Sequence, residues 1–237
     1  MSHHPEIHDQ NLRSRALSFY ICEACRFVDD DRERMKVGYN CPRCLVPGKG
    51  GMIYFRMNVF TLIDLVERFY YTESKSVPMT QIPGGYDKSG LKLAVVIFFC
   101  TLAEVLLEHF LQHCMHKMGV PHQVQQRLLD DNPFVKQRVD KIFPTLTGVK
   151  WDRAVKLQNQ STALDYSGTV EFHKRVTRAR NEFLHRGDRY VITQKMSEEC
   201  MHHIWPLVSL FVDLHNQYAA QSVKRRTTED RENNMHA

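Results

Sequence analysis

The pattern of apolar and polar positions changes its period along the chain, and each change marks an element. Leu17-Ser-Phe-Tyr-Ile21 and Met52-Ile-Tyr-Phe55 are short runs of β-type residues, divided by the charged stretch Asp29 to Lys36 and by Gly38, Pro42, Pro47, Gly48, Gly50 and Gly51. Such runs between breakers predict strands and turns, in a module too small to own a hydrophobic core. After Arg56 the period lengthens to that of a helix, with Val59, Leu62, Ile63, Val66 and Phe69 at three-and-four spacing. A breaker-rich loop with Pro78, Pro83, Gly84 and Gly85 follows. Leu91 to Met118 then reads as a long, mostly buried helix that Gly119 and Pro121 bring to an end.

Two shorter helices come next, one carrying Val124, Leu128 and Leu129, the other starting at the cap Asn132 with Pro133 at its first position and presenting Val135, Val139 and Ile142. Pro144 to Thr162 reads as irregular, anchored by Trp151. Helix signals return at about Thr169 and run to Arg186, with Phe172, Val176, Ala179 and Phe183 as an apolar stripe and Gly187 as the stop. A short extended link over Asp188 to Thr193 leads to the last helix, Lys195 to Tyr218, which turns Ile204, Leu207, Val208, Phe211 and Leu214 inward and holds Pro206 as a kink. The expected organisation is a loose N-terminus over 1–15, a β-type ribbon over 16–56, a helical domain over 57–223 and a disordered polar tail over 224–237. The fold class is mainly α: an antiparallel helical bundle with a small N-terminal β module.

Composition agrees with a packed protein: 237 residues, 43% of them hydrophobic and 10% aromatic, suffice for one ordinary domain and a small accessory one. The net charge of +5 tilts the chain towards polyanions, since binding nucleic acid releases counterions from phosphate. The start MSHHPEIHDQ lacks an apolar signal core, and the richest apolar run, Leu93 to Ala103, is about half the roughly 20 residues of a membrane span, with Glu104 directly after it. A soluble protein with no membrane partner is expected.

Four of the seven cysteines form two close pairs, Cys22-x2-Cys25 and Cys41-x2-Cys44, fifteen residues apart. Two such knuckles offer four thiolates to one tetrahedral ion, and in a short β module zinc suits them best, substituting for the missing core. Metal rather than disulfides implies a reducing compartment, the cytoplasm. The segment His4-Pro5-Glu6 before a C-x2-C superficially matches a zinc deaminase, but Ile21 and not proline precedes Cys22, and an ion with four cysteines has no open position for water. A structural rather than a catalytic zinc is therefore expected.

The most informative stretch is Arg180-Asn-Glu-Phe-Leu-His185, followed by Arg186 and Gly187 at a helix end. The spacing alone is cheap: Arg231 and His236 repeat it in the tail of a chain with 13 histidines. Its setting gives the first copy weight, because Asn181 follows the arginine, Phe183 joins the apolar stripe and a glycine caps the helix. Over about Asn58 to Ala220 the chain resembles the HEPN superfamily (higher eukaryote and prokaryote nucleotide-binding domains), whose ribonuclease members carry R-x4-6-H with a polar residue after the arginine. The resemblance implies a homodimer in which two such helices line one cleft, RNA as the substrate, catalysis by Arg180, His185 and Asn181 without a metal, and an accessory role for Glu104. An inhibitory or regulatory protein partner is a further expectation. On one helix Arg180 and His185 diverge by about 140°, so a single copy holds them poorly together, whereas Asn181 and His185, four apart, share a face.

Other residues carry two readings each. Glu104 serves the site or forms a salt bridge to an arginine of the motif helix, and Glu108 stands where family members can have lysine. Lys174, Arg178 and Arg186 grip RNA phosphate or form a solvated helix face. His109, His113 and His116 share a helical sector as a metal set or as ordinary histidines near a helix end. Cys100, Cys114 and Cys200 read as core thiols. Arg180 and His185 themselves read either as catalysts or as charge favoured at a helix C-terminus.

Overall fold

Helices dominate the computed structural model, which describes residues 12–29, 40–46, 52–75, 89–188 and 191–220. The long helix α3 (Ser89–Lys117) lies antiparallel to α2 (Met57–Lys75), with Phe69 stacked on Phe98 at 5.5 Å between ring centroids. A second antiparallel pair is α8 (Tyr166–Arg186) and α9 (Gln194–Leu214): the Tyr166 hydroxyl donates to Asp213 at 2.5 Å, and Arg175 meets Glu199 at the other end at 2.6 Å. The two pairs share one core in which Phe99, Phe110, Leu106, Ile204 and Leu210 are fully enclosed.

Local signals explain where the helices stop. Gly119 and Gly187 adopt φ of 73° and 70°, the left-handed conformation that ends α3 and α8 and that a side chain would strain. Asp165 caps α8 by accepting from the Gly168 N–H at 2.8 Å, and Thr193 caps α9 in the same manner at Met196. The stripe of Phe172, Val176 and Ala179 is buried as its spacing requires. Pro206 sits inside α9 without ending it.

Several expectations need correction. The N-terminal region was expected to be loose through residue 15, yet α1 (Leu12–Ala16) is a helical turn with Leu12 and Ala16 buried, held by the Leu12 N–H on Glu67 Oε1 at 3.1 Å; one turn has no propensity of its own, so tertiary docking decides it. Asn132 does not cap the next helix. It closes α4 (His122–Asp130) by donating to the Leu128 carbonyl, and α5 (Val135–Gln137) starts after Phe134. From there the chain winds through a π turn, Arg138–Ile142, into α6 (Phe143–Thr147), which Gly148 ends at φ 75°. Nor is the stretch after it irregular: α7 (Trp151–Asn159) buries Ala154, Val155 and Gln158, a helical face hidden in the sequence because Lys150 gives no capping side chain. The breaker loop around Pro83 and the tail from 224 lie outside the described residues.

Strands β1 (Tyr20–Ile21), β2 (Val28–Asp29) and β3 (Met52–Ile53) form a small antiparallel sheet in the order β2-β1-β3. Tyr20 pairs with Asp29 on one side and Ile53 on the other. Phe19, Ile21, Val28, Tyr54 and Phe55 belong to the same continuous core as the helices. Phe19 stacks on Trp205 of α9 at 5.6 Å, and the Arg15 guanidinium covers the same indole at 3.6 Å. A π turn over His215–Ala219 extends α9 and aims two side chains at the sheet. Asn216 closes the edge of β2 as a further strand would: its Oδ1 accepts from the Val28 N–H and its Nδ2 donates to the Val28 carbonyl, both at 2.8 Å. Arg43 donates to the Asn216 carbonyl at 2.9 Å.

Replacing Asn216 by alanine orphans both backbone groups of Val28. Urea unfolding is expected to show a loss of about 2 kcal/mol; a loss below about 0.5 kcal/mol would mean that water or another group serves the edge equally well.

Candidate metal centre and the arginine–histidine helix

The two C-x2-C segments fold alike. In the first, the Arg26 N–H donates to the Cys22 carbonyl at 2.9 Å and the Cys22 N–H to the Phe27 carbonyl at 2.8 Å; in the second, the Leu45 N–H donates to Cys41 at 2.8 Å and the Cys41 N–H to Val46 at 3.0 Å. Both turns require a left-handed residue just after the second cysteine, and non-glycine residues fill it: Arg26 at φ 60° and Leu45 at φ 58°. That strain costs on the order of 1 kcal/mol at each position and is held by whatever joins the knuckles.

The four sulfurs meet. Cys22 Sγ is 3.8 Å from Cys44 Sγ, Cys25 Sγ is 3.7 Å from Cys41 Sγ, and all four lie within 4.8 Å of one another. A tetrahedral ion with bonds of about 2.3 Å to sulfur needs its ligands about 3.8 Å apart, so the geometry fits one ion held by four thiolates, with no position left for water. Burial alone would raise the Cys22 thiol, but the backbone N–H groups of Cys25 and Ala24 and the neighbouring thiols outweigh it and hold the group below its ordinary value. Burial pushes the Cys25 and Cys41 thiols up. A cation among the sulfurs would favour the thiolate form of all four.

Three other cysteines, Cys100, Cys114 and Cys200, are buried on α3 and α9 as free thiols. His109, His113 and His116 do not make a second ligand set: His116 is exposed, and among the described residues only the four-cysteine group brings three or more ligating side chains this close. Instead His109 and His113 pack with Tyr54 and His215 as a nest of aromatic rings, 4.5 to 5.4 Å between centroids. His215 Nε2 donates to the Arg26 carbonyl at 2.7 Å, which fixes the proton on that nitrogen, and the other nitrogen is left without a partner, as are both of His109 and the Tyr54 hydroxyl. This cluster joins the first knuckle to α3 and α9. The sequence shows the i, i+4 histidine pair, but not its partners 55 and more residues away.

On α8, Arg180 lies against α3: its Nη1 is 3.0 Å from Glu104 Oε1, and its Nε donates to Asn181 Oδ1 at 3.3 Å. Glu104 thus forms a salt bridge to an arginine of the motif helix. Glu108, one turn on, takes Arg138 from the π turn at 3.0 Å. Asn181 and His185 are both exposed, whereas the Arg180 side chain is only 18% exposed. The motif therefore splits into an anchored arginine and a free histidine. Lys174 pairs with Glu171 at 2.8 Å and Arg186 with Glu182 at 3.1 Å, so both are partly neutralised; Arg178 has no ion pair among the described residues.

No family model, curated protein or solved structure matches the chain. Among the described residues no helix is long and apolar enough to cross a membrane.

The histidine nest makes stability depend on pH. Burial, reinforced by each other and by Arg26 and Arg56, pushes His109 down to about 3 and His113 to about 2; burial also takes His215 to about 4. In the unfolded chain each titrates near about 6.5. The stabilisation is complete above that value and drains as pH falls towards the folded values, because only the unfolded chain takes up the protons, by up to about 1.4 kcal/mol per pH unit for each histidine. Unfolding free energies at pH 7 and pH 5 should differ accordingly, and His113→Phe, which leaves the cysteines intact, should reduce the difference. An unchanged slope in that variant would assign the acid sensitivity elsewhere.

Proposed function

We propose that the chain is a metal-independent endoribonuclease that works as a homodimer, with Arg180, Asn181 and His185 of two copies facing one phosphodiester. The observation that carries this reading is the fixing of Arg180 by Glu104 and Asn181 beside an exposed His185 on the last turn of α8. A guanidinium so held is pre-oriented for phosphate, and an exposed imidazole is open to a substrate. Leu184, 58% exposed next to His185, adds apolar surface for a second copy to cover. In the reaction, one imidazole removes the proton of an RNA 2′-hydroxyl as its oxygen bonds to the adjacent phosphorus. The second copy's imidazole, protonated, gives its proton to the departing 5′-oxygen. The products are a 2′,3′-cyclic phosphate and a 5′-hydroxyl. Arg180 stabilises the crowded, charged phosphoryl group, an effect often worth about 10² to 10³ in rate. DNA lacks the attacking group.

A second reading rests on the same ion pair: with Arg180 already neutralised by Glu104, the helix end could serve a non-catalytic HEPN-type module that binds RNA or nucleotide, or mediates assembly. Purified protein incubated with mixed RNA in EDTA distinguishes the two. Cyclic-phosphate ends are expected from the wild type, with a loss of about 10²-fold or more in Arg180→Ala and in His185→Ala. Cleavage at equal rates by all three would discard the nuclease.

The four-cysteine centre is read as structural zinc, since an all-thiolate tetrahedral set favours that ion and leaves it no catalytic position. Such a centre suits a reducing compartment such as the cytoplasm. Elemental analysis should find one zinc per chain, lost in Cys41→Ser with a lower melting temperature and retained in Cys100→Ser; iron in place of zinc, or metal retained without Cys41, would contradict it.

A further inference from the structure

Beside the motif helix, where α3, α8 and α9 meet the segment from α5 to α7, lies a cavity of about 740 Å³. That is within the range of about 300 to 1,000 Å³ usual for small-molecule sites. Its depth is apolar, with Leu107 of α3, Trp151 of α7 and Phe211 of α9 among its walls. Trp151 is fixed there edge-on to Phe143 at 5.0 Å between centroids. Two uncharged polar groups interrupt the apolar wall: Thr177, and the largely buried His173, 3.4 Å away, whose imidazole burial and the neighbouring Arg180 hold down at about 4 and so neutral at pH 7.

The rim is predominantly cationic. Lys136, Lys150, Lys174 and Arg178 line it against Asp140 and Asp152. Lys136 is taken by Asp140, and Lys174 by Glu171 with Asp152 at 3.9 Å. That leaves Lys150 and Arg178 with no ion pair among the described residues, two cations at the mouth of an apolar hollow. A cationic ligand would meet repulsion there, and a neutral hydrocarbon would leave both charges unused. A polar nucleotide base would forfeit its hydrogen bonds against the aliphatic walls.

We propose that this cavity binds a small apolar acid, a hydrocarbon or aromatic body carrying one carboxylate or phosphate, with the body against Leu107, Trp151 and Phe211 and the anionic group at Arg178 and Lys150. The site is independent of the cleavage reading, since neither His185 nor Asn181 lines it. It gives Arg178 a role other than gripping RNA.

Calorimetric titration of the full chain with decanoate, octyl phosphate, decanol, decylamine and AMP tests it. Decanoate or octyl phosphate, whichever head group the rim prefers, should bind one to one, roughly tenfold tighter than decanol, because a hydrogen bond to a charged partner contributes about that much. Decylamine and AMP should bind more weakly still. The surface double variant Arg178→Ala/Lys150→Ala should bring the anion down to the affinity of decanol, and Val139→Trp, which fills the cavity from its less buried wall, should abolish binding of both. Decylamine as tight as decanoate, AMP tighter than either alkyl anion, affinity untouched by Val139→Trp, or no measurable binding of either anion would each overturn the proposal.

Discussion

A sheet whose strands are two residues long buries almost nothing between its own faces, so the N-terminal module must obtain its stability from outside itself. Its four sulfurs join the two knuckles, and it docks on the bundle through Phe19 against Trp205, through Tyr54 against His109 and His113, and at the end of α9. The turn at His215–Ala219 supplies the contacts at the end of α9. From that turn His215 reaches the carbonyl of Arg26 and Asn216 lies along β2. Both knuckles are touched: Arg26 follows Cys25, and Arg43, which donates to the Asn216 carbonyl, lies between Cys41 and Cys44. The four-cysteine module and the helical bundle are therefore one mechanical unit at this point.

The aromatic nest continues this junction inward. Neutral imidazoles serve there as flat, packable rings, with Tyr54 of the ribbon in contact with histidines of both α3 and α9. Polar atoms left without partners in such a place are costly, and the cost is tolerable only because the rings bury so much surface. Elsewhere on α3 the same economy of charge recurs. Glu104 and Glu108, one turn apart, each take an arginine from a distant part of the chain, Arg180 of α8 and Arg138 of the π turn before α6. The pair fixes α8 and the α5–α6 segment to one helix, and the cavity with the basic rim lies where those segments and α3 meet.

For function, the anchored arginine divides the motif. Its guanidinium is directed by an acid, while Asn181 and His185 face outward, so any chemistry that needs both ends must bring in a second surface. The five-residue spacing, which sets Arg180 and His185 about 140° apart on one helix, has the same consequence.

Sequence alone determined what depends on local order. The periodic apolar stripes of α2, α3, α8 and α9, the glycine stops at Gly119 and Gly187 and the four-sulfur set follow from the chain, because helix period, left-handed backbone and C-x2-C spacing are properties of neighbouring residues. Only the tertiary structure decided the rest. Helix α1, a single turn, forms because Glu67 receives its first N–H; α7 has an apolar face but no cap; Asn132 ends one helix instead of starting another because Arg138 and the Leu128 carbonyl claim it. The ion pair of Glu104 with Arg180 and the gathering of Tyr54 with His109, His113 and His215 rest on contacts that reach from 55 to 161 positions along the chain. Such contacts carry no periodic trace in the sequence, since what fixes them is the space left between packed helices and not the order of residues along any one of them.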